Sequence, residues 1–195
     1  MMRIITGRAR GVRLDTLQGE ATRPTLERTK EAVFSMLQFE IADARVLDLF
    51  AGSGQLGLEA ISRGASRAIL CDRSKDAVQV IKKNVQKTRF EANCDVFCMD
   101  FQALLHTLKG GEPFDMTFLD PPYALGAVPV ALRLLIENGL LADGAKIVCE
   151  TGKADDVFGQ DHSLESCFEI VKQSKYGAAF VTILRACKMK GSENP

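Results

Sequence analysis

From Ala44 onward, short apolar runs alternate with longer stretches in which apolar residues recur every three or four positions. The runs at 45–50, 68–72, 95–99, 115–119 and 145–150 read as strands, and the periodic stretches at 56–63, 75–89, 101–108 and 128–138 read as helices. Ser74 is placed to cap the second of these helices, with Asp76 in its first turn. Gly139 and Gly144 bracket the approach to the fifth strand. Strict alternation of this kind predicts a parallel, doubly wound sheet, and the near-continuous apolar strands Val46-Leu47 and Ile69-Leu70 fit burial on both faces.

The pattern changes at both ends. Runs at 167–172 and 179–186, separated by 173–177, predict a closing antiparallel hairpin. That ending belongs to S-adenosylmethionine (SAM)-dependent methyltransferase sheets, whereas a dinucleotide-binding sheet generally continues in parallel. At the other end, Arg3–Thr6 and Gly11–Leu14 flank a turn containing Gly7, and 15–21 reads as loop. Pro24 suits the start of a helix that carries Leu26, Val33, Leu37 and Ile41 on one face, broadened by Phe34 and Met36. The expected organisation is a hairpin-and-helix extension over 1–43, an α/β core over 44–189 and a frayed tail over 190–195. The expected fold class is α/β, a mostly parallel sheet with an antiparallel C-terminal hairpin.

Composition narrows the function classes. The chain has 195 residues, 46% of them apolar, enough for one domain with a core. No run approaches a membrane span, and the first residues show no apolar signal region, so the expectation is a cytoplasmic protein. A net charge of zero argues against a general nucleic-acid coat protein. The distribution is uneven, however. Arg3, Arg8, Arg10 and Arg13 lie in a stretch without acids, and Arg23, Arg28 and Lys30 follow, a basic stripe able to steer a polyanion to one face. The six cysteines form no CxxC pair and only His106 and His162 could join them, so reduced cysteines and no metal site are expected.

Two motifs carry chemistry. Gly52-Ser53-Gly54-Gln55-Leu56-Gly57 matches G-x-G-x-x-G, and Asp72 ends the next strand. Both features are shared with dinucleotide sites, because glycines let a backbone approach a ligand and a carboxylate bonds ribose hydroxyls. Asp48 precedes the glycines, where a carboxylate faces a cationic amino-acid end and would repel a pyrophosphate. Asp100, after Met99 at the end of the third strand, can accept from an adenine amine. The expected cofactor residues are Asp48, Phe50, Ala51, Gly52, Ser53, Gly54, Asp72, Arg73, Met99 and Asp100, with SAM as cofactor.

The second motif, Asp120-Pro121-Pro122-Tyr123, follows the fourth strand. An exocyclic amine on a nucleobase is a poor nucleophile because its lone pair is delocalised into the ring. Acceptors at the Asp120 carboxylate and the Pro121 carbonyl pull the nitrogen toward tetrahedral geometry, Pro122 stiffens the turn, and Tyr123 offers a stacking ring. A base in a helix would have to be turned out to reach such a turn; structured RNA already offers splayed bases. Cytosine-C5 chemistry needs a Cys nucleophile, usually in a Pro-Cys pair, and none occurs.

Arg23-Pro24-Thr25, the 48–54 loop, Leu56-Gly57-Leu58-Glu59-Ala60 and the Asp120–Tyr123 turn, behind an R-x-I-x-G hairpin, resemble the RsmD family of bacterial 16S ribosomal RNA guanine-N2 methyltransferases. The resemblance runs from Arg3 to about Arg185. It implies a Rossmann-like class I SAM-dependent methyltransferase fold, with a mostly parallel seven-stranded sheet and a small N-terminal hairpin extension, SAM as donor and a guanine of 16S rRNA as acceptor, within an assembling or assembled small subunit. It also implies that Arg23 and Thr25 lie near the substrate entrance and that Arg3, Arg8, Arg10 and Arg13 contact RNA. The chain departs from the family at Asp72, where Glu is more usual, at Gln55 in the glycine loop, and at Ala179, where a Thr is common. Three alternatives remain open: an adenine-N6 methyltransferase on DNA or RNA, an NAD-dependent oxidoreductase, and a SAM-binding assembly factor without catalysis.

Overall fold

A computed structural model describes residues 2–17 and 24–188. Seven strands form one sheet in the order β3-β2-β1-β4-β5-β7-β6. They are β1 (Arg45–Asp48), β2 (Arg67–Asp72), β3 (Cys94–Cys98), β4 (Phe114–Leu119), β5 (Leu141–Thr151), β6 (Phe168–Tyr176) and β7 (Ala179–Ala186). The first five run parallel; β7 inserts antiparallel between β5 and β6. The helices are α1 (Pro24–Met36), α2 (Gln55–Ser62), α3 (Lys75–Thr88), α4 (Phe101–Thr107) and α5 (Ala127–Glu137). The sequence-predicted fold class and its antiparallel ending hold.

Side chains alternate across the sheet, as the two-residue period of a strand requires. Val46, Leu70, Phe118 and Val148 join a cluster with the hairpin, α1, α2 and α3. Leu47, Ile69, Leu119 and Cys149 join another with α4 and α5. Met2, Ile4, Val33, Phe34, Leu37 and Ile41 belong to the first of these clusters, so the N-terminal segment helps build the core of the sheet it covers.

Several local expectations are corrected. The first strand stops at Asp48, before Phe50, because the chain turns out of the sheet into the glycine loop. The first helix stops at Met36, whose side chain is exposed and does not broaden the apolar stripe, while Leu37 and Ile41 are buried from the turns beyond it. Leu26 and Arg28 have side chains outside the described residues. β5 starts at Leu141 and includes Gly144 at φ 74°, where its register with β4 slips. Residues 173–176 continue β6, which leaves a tight turn at Gly177.

The hairpin is paired by a bridge between Arg3 and Arg13 and is bolted to α2. Glu59 is fully buried there and accepts from the backbone N–H groups of Ile5 and Thr6, at 2.8 and 3.1 Å. Arg63 and Lys30 complete its ion pairs, at 2.8 and 3.6 Å. Lys30, expected in the basic stripe, is therefore buried and spent inside the protein. Ser62 adds its carbonyl to the Arg8 N–H and its hydroxyl to the Ala9 N–H. Gly7, at φ 87°, passes so close that a Cβ would stand 1.8 Å from the Ser62 carbonyl oxygen.

Candidate active site

The loop after β1 is held from below and from the side. Asp48 is buried and its Oδ2 accepts from the Gly57 N–H at 3.1 Å, which ties the strand end to the start of α2. Burial pushes this carboxyl up to about 7; the Gly57 N–H opposes that shift and the nearby Asp72 adds to it. A Cβ on Gly57 would stand 2.2 Å from Leu70 Cδ2, so the third glycine of the motif is required for helix–strand packing. Gly52 and Gly54 take left-handed backbone, at φ 53° and 78°.

Asp72 braces the loop laterally. Its Oδ2 accepts from the Gly52 N–H at 2.9 Å and its Oδ1 from the Ser74 N–H at 2.8 Å. Asp100 caps α4, accepting from the Gln102 N–H at 2.8 Å. Beyond β4, Leu125 donates to the Pro122 carbonyl at 3.0 Å and rolls Tyr123–Leu125 into a turn of 3-10 helix. Tyr123 lies half exposed, its hydroxyl donating to Glu150 Oε1 at 2.6 Å and its ring against the backbone of Gly152.

One cavity of about 620 Å³ unites the two motifs. Gly52, Asp72, Arg73, Met99 and Asp100 line it, with Phe50 and Phe101, whose rings lie 5.1 Å apart. Asp120, Pro121, Pro122 and Tyr123 line it too, and so does Glu150. The cavity opens at the carboxyl ends of the strands, where connections from β1 and β4 diverge, the usual ligand crevice of an open α/β sheet. Asp48, Ala51, Ser53 and Gly54 do not line it. Ser53 is buried toward the hairpin, its hydroxyl near Met2 Sδ and its carbonyl accepting from Asn84.

Sequence reasoning did not single out Leu17, Phe101, Gln102 or Glu150. Phe101 and Gln102 follow Asp100 directly, and the strand-end position of the acidic Glu150 was the available signal. Of the residues expected at RNA, Arg3, Arg10 and Arg13 are exposed on the hairpin. Arg8 is exposed as well, but its guanidinium donates to the Ile61 carbonyl at 3.3 Å and lies over the Phe90 ring. Arg23 and the side chain of Thr25 lie outside the described residues.

The lining fits SAM. Among the described residues, Asp72, Asp100, Asp120 and Glu150 line the cavity against one cation, Arg73, which suits a sulfonium and an ammonium and disfavours a pyrophosphate. Phe50, Met99 and Phe101 supply an apolar wall for a purine. Among the described residues no cluster of His, Cys, Asp and Glu is able to hold a metal, and no helix is long and apolar enough to cross a membrane.

Residues 2–185 match the family described as Conserved hypothetical protein 95. The chain belongs to that family. Two curated relatives are similar over most of the chain. "Putative rRNA methyltransferase YlbH" of Bacillus subtilis is 38% identical over 150 residues, 76% of this chain and 82% of the relative. "Ribosomal RNA small subunit methyltransferase D" of Escherichia coli K12 is also 38% identical, over 77% of this chain and 74% of its own. The resemblance to the RsmD family therefore holds. Among solved structures, "Putative methyltransferase yhhF from Escherichia coli" superposes with a TM-score of 0.83 at 31% identity, covering 96% of this chain and 99% of that one. An O-methyltransferase from Bacillus cereus in complex with SAH superposes at 0.69 with 14% identity, covering 87% and 84%, which extends the fold to class I methyltransferases at large.

Proposed function

We propose that this protein methylates the exocyclic N2 amine of a guanine in 16S ribosomal RNA, with SAM as donor and an assembling or assembled small subunit as substrate. The observation that carries the reading is the single cavity shared by the glycine loop and the Asp120–Tyr123 turn. Family membership and relatives named as small-subunit rRNA methyltransferases support the RNA class. SAM, when bound, supplies an electrophilic methyl group on a sulfonium.

The chain's own residues do the rest. Asp72 and Asp100, which line the cavity, hold the cofactor in this reading. Asp120 and the Pro121 carbonyl accept from the amine, free its lone pair and favour the ammonium that develops. The Pro122 carbonyl is already engaged by the Leu125 N–H, which leaves the preceding carbonyl for this role. Tyr123, fixed by Glu150, stacks on the base. Arg3, Arg10 and Arg13 present a basic edge to the RNA backbone. The oxidoreductase alternative has neither the cavity charge nor the family behind it.

The test uses methyl-labelled SAM with unmodified small subunits, naked 16S RNA and duplex DNA, followed by mass analysis of the labelled nucleoside. N2-methylguanine, strongest from subunits, is expected, with Asp120→Ala slowing transfer by roughly 100-fold or more. N6-methyladenine would establish the adenine alternative.

A further inference from the structure

The Asp120–Tyr123 turn grips an amine, and both guanine and adenine present one. A second group has to read the ring, and the neighbouring strand supplies it. In the parallel pairing of β4 with β5, Leu119 lies opposite Cys149. The next residues are Asp120, where the chain leaves β4, and Glu150, still within β5, and both line the same cavity. Glu150 lines the main cavity with Asp120, Pro121 and Tyr123, and it also lines a second cavity of about 340 Å³ behind the Tyr123 ring.

The Glu150 carboxylate is held but not neutralised. Its Oε1 accepts from the Tyr123 hydroxyl at 2.6 Å. Among the described residues no Lys, Arg or His pairs with it. A carboxylate has roughly four lone-pair positions, so a single hydroxyl donor leaves ample acceptor capacity. Guanine carries two adjacent kinds of donor on its Watson–Crick edge, the N2 amine and N1–H. Adenine carries an amine beside N1, which is an acceptor. A carboxylate next to the amine grip therefore gains a hydrogen bond from guanine and opposes the N1 lone pair of adenine.

We infer that Glu150 selects guanine, its carboxylate accepting N1–H while the Asp120 turn holds the N2 amine. The inference rests on the guanine-N2 reading above and adds the residue that specifies the base. It separates Glu150 from a merely structural partner of Tyr123. An amide at this position would still accept from the Tyr123 hydroxyl, but would turn an N–H toward the base.

The experiment compares single-turnover methylation of subunits whose 16S RNA carries either guanine or 2-aminopurine at the modified position. 2-Aminopurine keeps the exocyclic amine and replaces N1–H with a bare acceptor. Wild-type protein is expected to prefer guanine by on the order of 100-fold, the discrimination of one good base-edge contact pair. Glu150→Gln is expected to slow the guanine reaction and narrow that preference by about 10-fold or more, since the amide donor now suits 2-aminopurine. The far-UV circular dichroism and urea midpoint of the variant should match those of the wild type, which verifies its fold. Equal decreases on both bases would reduce Glu150 to a structural role and overturn the inference. A wild-type preference near one would overturn it without any variant. N6-methyladenine as the wild-type product would instead overturn the underlying guanine reading, and the nucleoside mass distinguishes the two failures.

Discussion

Asp48 is asked to hold a backbone N–H and to do so where water does not reach. Its carboxyl, raised to about 7 from an ordinary aspartate value near 4, binds a proton more tightly in the folded chain than in the unfolded one. Between those values the native state carries more protons, so this residue's contribution to stability falls as pH rises from about 4 to about 7 and is level above. Asp48→Asn keeps an acceptor for Gly57 and removes the buried charge. We expect it to stabilise the protein by about 1–3 kcal/mol near pH 8 and to leave stability near pH 4 almost unchanged. Urea midpoints of both proteins at the two pH values check this; an equal shift at each would contradict it. Tyr123 makes a related point, because Glu150 accepts from its hydroxyl and so fixes the ring that the proposed function stacks on the base.

At the scale of elements, the N-terminal hairpin is the part most dependent on one contact region. Its own ladder is short, and its attachment runs through Glu59 and Ser62 on α2 and Arg63 just past its end. Burying Glu59 is costly; the Lys30 and Arg63 ion pairs offset part of that cost, and the two backbone N–H groups of Ile5 and Thr6 add to this only while the hairpin is docked. Gly7 sets how closely the two surfaces approach. Gly7→Ala would place a methyl 1.8 Å from the Ser62 oxygen in a left-handed conformation, at φ 87°. The backbone strain alone costs about 1–3 kcal/mol. The expected result is local undocking: faster proteolysis within the first fifteen or so residues, with the sheet and SAM binding retained. Cooperative loss of the whole fold at the same temperature as the cleavage would show that the hairpin is not a separable unit.

At the scale of the molecule, neutrality hides a polar distribution: carboxylates gather around the cavity while arginines gather on the hairpin. The bridge partners Arg3 and Arg13 occupy directly opposed positions, since the flanking pairs Met2–Leu14 and Ile4–Val12 carry the hydrogen bonds. Like charges opposed in this way are unfavourable unless an anion lies between them. Replacing Arg3, Arg10 and Arg13 with Gln should weaken RNA binding and flatten the slope of log affinity against log salt by about 2, as expected for losing three phosphate contacts. Titrations over a range of salt test this, and an unchanged slope would remove the hairpin from the interface. Arg8 is a poorer probe, because it also packs on Phe90 and Ile61.

The sequence by itself determined the alternation of elements, the antiparallel ending, the family, and the two motifs from which the proposed function starts. Each of these is written in local periodicity or in a short run of residues. Tertiary structure alone decided what those residues touch. Asp48 and Ser53 sit in the glycine motif yet lie beneath the cavity, because a loop has an inner and an outer side that its spelling does not reveal. Lys30 reads as one more basic residue until α1 delivers it to a buried carboxylate. Glu150 closes an ordinary apolar strand in the sequence. Only the pairing of β4 with β5, a contact between segments some thirty residues apart, brings it beside Asp120. Periodicity reports which face a residue takes within its own element, whereas register between elements is set by how the whole sheet packs.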